Sequence, residues 1–161
     1  MSTRTTARAW IARPEEAEAV AGLLVAFRDH MGLDWPSENA FLASVERLLD
    51  GRDMDFLLAV PDADAAPAGV LQLRFRLSVW KAAPDAWLED LFVSEDARRA
   101  GVGDALVTLA IERAIERGAK RIELDCNERN AAALALYERH GFSARSKGGE
   151  GRDLFLGRSL G

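Results

Sequence analysis

Apolar and polar residues follow two different periods along this 161-residue chain. Between Pro14 and His30 the apolar positions Ala17, Val20, Leu24 and Phe27 recur three or four residues apart, which stacks them on one face of a helix. Pro14 suits the first turn, where its missing N–H would have no intrahelical acceptor, and Glu15 and Glu16 stand at the positive end of the dipole. A second helix is predicted over 38–51, with Ser37 placed to cap it and Gly51 to end it. Period two takes over at 70–80. There Leu71, Leu73, Phe75 and Leu77 share one face and Gln72, Arg74 and Arg76 the other, the pattern of a half-exposed antiparallel strand. Shorter apolar runs at 7–13, 54–60, 87–93 and 120–126 read as strands, and 98–118 and 128–141 as helices. Two last strands are expected around Phe142–Ser146 and Asp153–Leu156, joined by the hairpin loop SKGGEG.

The predicted order is β-α-α-β-β-β-α-β-α-β-β. It fits an α/β fold in which one mixed sheet carries helices on both faces. The β-α-β crossover over 87–126 implies a parallel pair. No internal repeat or linker interrupts the chain, so a single domain over 1–161 is expected, with the polar residues 1–6 loose.

Composition narrows the function classes. A content of 48% apolar and 29% charged residues is that of a soluble globular protein, and a net charge of −5 argues against a nucleic-acid partner. The only cysteine, Cys126, excludes an internal disulfide and suits a reducing compartment. No signal-peptide core or apolar run of the ~20 residues needed to span a bilayer is present, so a cytoplasmic protein without membrane attachment is expected. His30 and His140 are too few and too far apart to suggest a metal site. Cys126 lacks a histidine partner and reads as a small buried residue, and Trp35, Trp80 and Trp87 read by default as core.

The chemistry concentrates where the strand WLEDLFV gives way to RRAGVGDAL. A helix N-terminus presents unpaired N–H groups and partial positive charge, and glycine lets a ligand approach its backbone. Arg98 and Arg99 would add charge at the mouth, which makes 98–103 a candidate pyrophosphate cradle. The Walker pattern is absent, and the dinucleotide pattern fails because Leu106 stands where a third glycine would. The pattern that fits is [QR]-x-x-G-x-[GA], on Arg98, Gly101 and Gly103.

With that loop the chain resembles the GNAT-type N-acetyltransferases. LEDLFVSEDARRAGVGDAL is similar to the family's strand, loop and helix, and NERNAAALALYERHGF to its second half, through Asn130, Tyr137, Gly141 and Phe142. The resemblance departs at Arg99, where the family commonly has glycine.

It implies acetyl-coenzyme A as co-substrate, with no metal, held by Leu91, Phe92, Val93, Arg98, Arg99, Ala100, Gly101, Val102, Gly103, Asp104, Asn130, Ala133 and Tyr137. Asp104 would point outward. Tyr137 would protonate the leaving sulfur. Glu89 would bind the substrate ammonium and accept its proton, with Asp90 as the alternative. The two are adjacent on a strand and are therefore expected on opposite faces. The acceptor implied is a primary amine of a small molecule, with the polyamine (diamine) branch the nearest likeness. An amino acid, a peptide N-terminus or an aminoglycoside is the alternative within the class, and a coenzyme-A-binding sensor without turnover the alternative outside it. Dimers are common in the family, often through the last strands, so a homodimer is also an expectation.

Overall fold

The computed structural model describes residues 6–145 and 148–161. The chain forms two compact units, one ending at Leu124 and one running from Asp125 to Gly161.

The first unit is a five-stranded sheet in the order β1-β2-β3-β4-β5. Its strands are β1 (Arg8–Ile11), β2 (Met54–Val60), β3 (Gly69–Ser78), β4 (Ala83–Val93) and β5 (Ile122–Glu123). Neighbours are antiparallel except β4 and β5, which are parallel, as the crossover implies. Helices α1 (Ala17–His30) and α2 (Glu38–Leu49) follow β1, and α3 (Val102–Glu116) links β4 to β5. Pro14–Glu16 form a 3-10 turn before α1, and Ser37 caps α2 by accepting from Ala40 N at 3.2 Å. No helix among the described residues is long and apolar enough to cross a membrane.

Helices cover both faces of the sheet. Leu57, Leu71, Leu73 and Leu88 are fully buried on the side of α3, with Leu106, Val107 and Ala110. Met54, Phe56, Leu58, Val70 and Phe92 form a second core with Val20, Leu23, Leu24 and Val45 of α1 and α2. The supposed polar face of β3 is therefore buried at Gln72, and the far end of the strand reaches solvent at Arg76 and Leu77. Alternation in the sequence reports polarity, and a single amide among apolar neighbours does not stop a helix pair from covering it. β4 begins earlier than its apolar run suggests. Pro84 lies near its start, where proline's missing N–H is tolerated, and the turn falls at 79–82.

β5 is two residues long, against an expected strand over 120–126. It pairs only Ala86 with Ile122 and Trp87 with Glu123. Trp35 and Trp80 are exposed rather than core. Residues 1–5 of the expected loose terminus lie outside the described residues. Thr6 is tied down, donating Oγ1 to the Pro61 carbonyl at 2.9 Å.

The second unit contains α4 (Ala131–Arg139), with Leu136 and Tyr137 buried and the Phe142 ring edge-on to Tyr137 at 5.9 Å. The two strands expected here do not form among the described residues; Ser146 lies outside them. A strand exists through its ladder, and no ladder pairs 142–145 with 152–161. Leu154, Phe155 and Leu156 are exposed, so their alternation corresponds to no buried face.

Candidate active site

β4 is irregular where its two acids stand. Gln72 pairs with Asp90, but the next residue of β3, Leu73, pairs with Leu88. Glu89 is therefore an extra residue, a β-bulge, and a bulge breaks the alternation of faces. Asp90 falls on the side of Gln72, facing α1 and α2. Glu89 meets Arg74, whose partner positions Met54 and Trp87 mark that same side. The expectation that Glu89 and Asp90 point to opposite faces fails for this reason.

The guanidinium of Arg74 grips Glu89 with both arms. Nε donates to Oε1, and Nη2 donates to Oε2 at 3.3 Å. That hydrogen bond, more than the opposing effect of burial, holds Arg74 above its ordinary pKa and so firmly charged. Arg76 lies instead over the ring of Trp87, 5.6 Å from its centre.

Past Trp87 the second edge of β4 has no ladder partner among the described residues, because β5 ends at Glu123. Leu88–Val93 run on beyond that pairing, with the Val93 carbonyl accepting from Arg98, and an extended amide chain can add to a strand edge of this kind as a further strand would. Leu91, Phe92 and Val93 stand on it. The Phe92 ring stacks on Phe27 of α1 at 5.1 Å.

The chain then turns through Glu95–Ala97 to Arg98 and into α3. Arg99 takes a left-handed backbone with φ of 65°, and Gly101, the residue capping α3, takes φ of 81°. Glycine adopts that region without penalty, whereas a residue with a β-carbon loses about 1–2 kcal/mol there. The glycine common at the Arg99 position thus has a conformational reason, and arginine occupies it under strain. Arg98 does not simply add charge at the mouth. Its Nε donates to the Val93 carbonyl at 3.2 Å, and Nη2 lies 3.4 Å from His30 Nε2, tying the loop to β4 and to the end of α1. Ala100, Gly101, Val102 and Gly103 carry the backbone into the first turn of α3, where Asp104 is the acid the dipole favours.

Gly69 sets the position of that turn. A β-carbon on it would stand 2.5 Å from Val102 Cγ1 and 3.0 Å from Leu106 Cδ1. The helix start can lie this close to β3 only because residue 69 has no side chain. Neither Gly69 nor the Arg74 pairing was evident in the residue pattern. A glycine at the edge of an apolar run is the signal that could have found the first.

Asn130, Ala133 and Tyr137 belong to the second unit. Asn130 caps α4 rather than standing within it, its side-chain oxygen accepting from Ala133 N at 3.2 Å. Its amide NH2 remains as the donor end. Burial, with the charge of Asp125 adding to it, raises the Cys126 thiol pKa.

A mixed sheet covered on both faces, a bulged strand that runs on past its parallel partner, and a glycine-bent helix start directly after it define the chain as an acyltransferase-type α/β protein. The model of the Acetyltransferase (GNAT) family matches residues 20–142, and the chain belongs to that family. An uncharacterized N-acetyltransferase of Bacillus subtilis, YhfO, is 29% identical over 133 residues, 81% of this chain and 86% of that protein. An uncharacterized N-acetyltransferase of Methanocaldococcus jannaschii is 38% identical over 60 residues, 37% of this chain, and the match spans only 26% of that protein's length. Among solved structures, that of a protein from Arthrobacter sp. FB24 taken to be an acetyltransferase superposes with a TM-score of 0.83 at 28% identity. The match covers 99% of this chain and 98% of that one.

Proposed function

We propose that the chain works as one cytoplasmic N-acetyltransferase domain that moves the acetyl group of acetyl-coenzyme A directly to a primary amine of a small molecule. The observation that carries this reading is the continuity of the β4 edge beyond β5 with the α3 start. One stretch, 88–104, offers amide groups to a pantetheine arm and N–H groups to a diphosphate. In this reading Leu91–Val93 hold the arm and the backbone of 98–104 the phosphates, with Asn130 and Ala133 contributing from α4.

The reaction needs a neutral amine, a polarised carbonyl and a protonated leaving group. Glu89 takes the ammonium proton, directly or through water, with Asp90 as its neighbour. The amine nitrogen attacks the thioester carbon, the C–S bond breaks, and the Tyr137 hydroxyl gives its proton to the departing sulfur. The diamine class that the resemblance implies meets a cation on this face, because Arg74 sits paired to Glu89.

Thiol release from acetyl-coenzyme A across a panel of primary amines, beside calorimetry with coenzyme A, tests the reading. Coenzyme binding with amine-dependent release is expected. Binding without release for any amine would leave a sensor, and no binding would overturn the cradle.

A further inference from the structure

Two cations share the face of the sheet that carries the proposed base. Arg74 is bound to Glu89 across the β3–β4 register. Arg76, two residues further along β3 and so on the same face, reaches over the Trp87 ring. The Arg74–Glu89 couple is paired but accessible, with side chains 41% and 28% exposed. Its two hydrogen bonds use two of the five N–H donors of a guanidinium, and each carboxylate oxygen accepts more than one bond. An ion pair this open to water gains little over its separated, hydrated charges, so each member can take a further partner at small cost.

From this the geometry points to a substrate class: an α-amino acid, or a close relative with ammonium and carboxylate one or two carbons apart, whose ammonium meets Glu89 while its carboxylate meets Arg74. The inference rests on the N-acetyltransferase reading above and deepens it, and it makes Arg74 the residue that determines specificity. Complementarity supports it. Arg74 and Glu89 are opposite charges in hydrogen-bond contact, and a zwitterion brings the opposite pair at a similar spacing, so the four charges alternate. The flat fork of a guanidinium matches a carboxylate, which an ammonium would not do. An acceptor without an anion sets its ammonium against Arg74 uncompensated, and a polyamine or aminoglycoside brings several cations toward Arg74 and Arg76. Acetyl transfer gives the N-acetyl amino acid and free coenzyme A by the proton steps already described.

Matched triads test it on the full-length protein. Each common α-amino acid is compared with its primary amide and with the amine left when its carboxylate is removed; 1,5-diaminopentane and kanamycin represent the polycations. Thiol release gives kcat/KM, and calorimetry in the presence of coenzyme A measures binding independently. At neutral pH more of the amide's amine is uncharged, so chemistry alone favours the amide and a preference for the acid comes from the site. Expected for the best amino acid is a kcat/KM at least tenfold above that of its amide, its decarboxylated amine, the diamine or kanamycin. Arg74→Gln should bring the acid-to-amide ratio to within about twofold of one, through KM rather than kcat. Arg74→Lys, which keeps the charge without the fork, should give an intermediate ratio. The melting temperature of each variant confirms its folding.

A wild-type protein that turns over an amine without a carboxylate as well as every amino acid would overturn the substrate class and leave the acetyltransferase reading standing. A folded Arg74→Gln protein with the wild-type ratio would overturn the role of Arg74. Amino-acid binding that Arg74→Gln abolishes, with no thiol release from any amine, would overturn the enzymatic reading and leave the zwitterion site standing. Neither binding nor turnover of any amino acid would overturn the zwitterion site, whatever other amine is acetylated.

Discussion

Gly69→Ala isolates the contact that positions the helix start. The backbone at Gly69 is not left-handed, so alanine fits the strand and by itself would stabilise it by about 0.5–1 kcal/mol. Against that stands the new methyl, 2.5 Å from Val102 Cγ1. Val102 is β-branched, buried to 1% exposure and unable to turn aside, so the start of α3 must retreat by roughly 1 Å to restore a carbon–carbon contact of about 3.5 Å. Overpacking of this kind costs about 1–3 kcal/mol. The net loss is then up to about 2.5 kcal/mol, which lowers the melting temperature of a chain this size by up to about 10 °C. The same retreat moves the first-turn N–H groups away from the phosphates, so the Kd for coenzyme A should rise at least about tenfold. Gly22→Ala is the control. It lies in α1 with nothing within 4 Å of the added carbon, and it should stabilise by about 1 kcal/mol without touching coenzyme affinity. Differential scanning fluorimetry and calorimetry measure both quantities. Val102→Ala combined with Gly69→Ala should destabilise less than the sum of the single changes, because the clash is removed. A Gly69→Ala protein as stable as Gly22→Ala, with unchanged coenzyme affinity, would refute the reasoning.

Three further outcomes are expected. Tyr137→Phe should lower kcat on the order of 10²–10⁴-fold and leave the Kd for coenzyme A within about twofold; an unchanged kcat removes Tyr137 from the chemistry. Gly103→Val should abolish coenzyme binding in calorimetry by placing a branched side chain at the phosphates, and normal affinity would mean the cradle lies elsewhere. Cys126 has a raised thiol pKa in the folded chain, so the stability linked to it is fully present below the unfolded value of about 8.5 and is lost as pH rises through the folded one. Iodoacetamide should therefore modify native Cys126 with a midpoint above that of an unfolded-chain thiol, and Cys126→Ser should keep its turnover.

Much of this was legible without coordinates. The 3.6 and 2.0 periods located α1 and β3, because those elements bury one stripe or face and the stripe is written in residue order, while end signals located α2 and an apolar run β2. The Ser37 cap and the glycine-bent helix start were legible for the same reason: each is a local need met by a residue within a few positions. The last two strands do not form among the described residues, because alternation specifies a face, and a ladder needs a partner that alternation does not name. What only the tertiary structure decided concerns residues far apart in the chain. The bulge at Glu89 arises from the register of β3 against β4. The grip of Arg74 on Glu89 spans 15 positions, and the approach of Val102 to Gly69 spans a strand, a hairpin and a loop. Single-residue chemistry fixed which groups were available. The cross-strand register, which no local period encodes, fixed that Asp90 lies beside Gln72 while Glu89 faces an arginine.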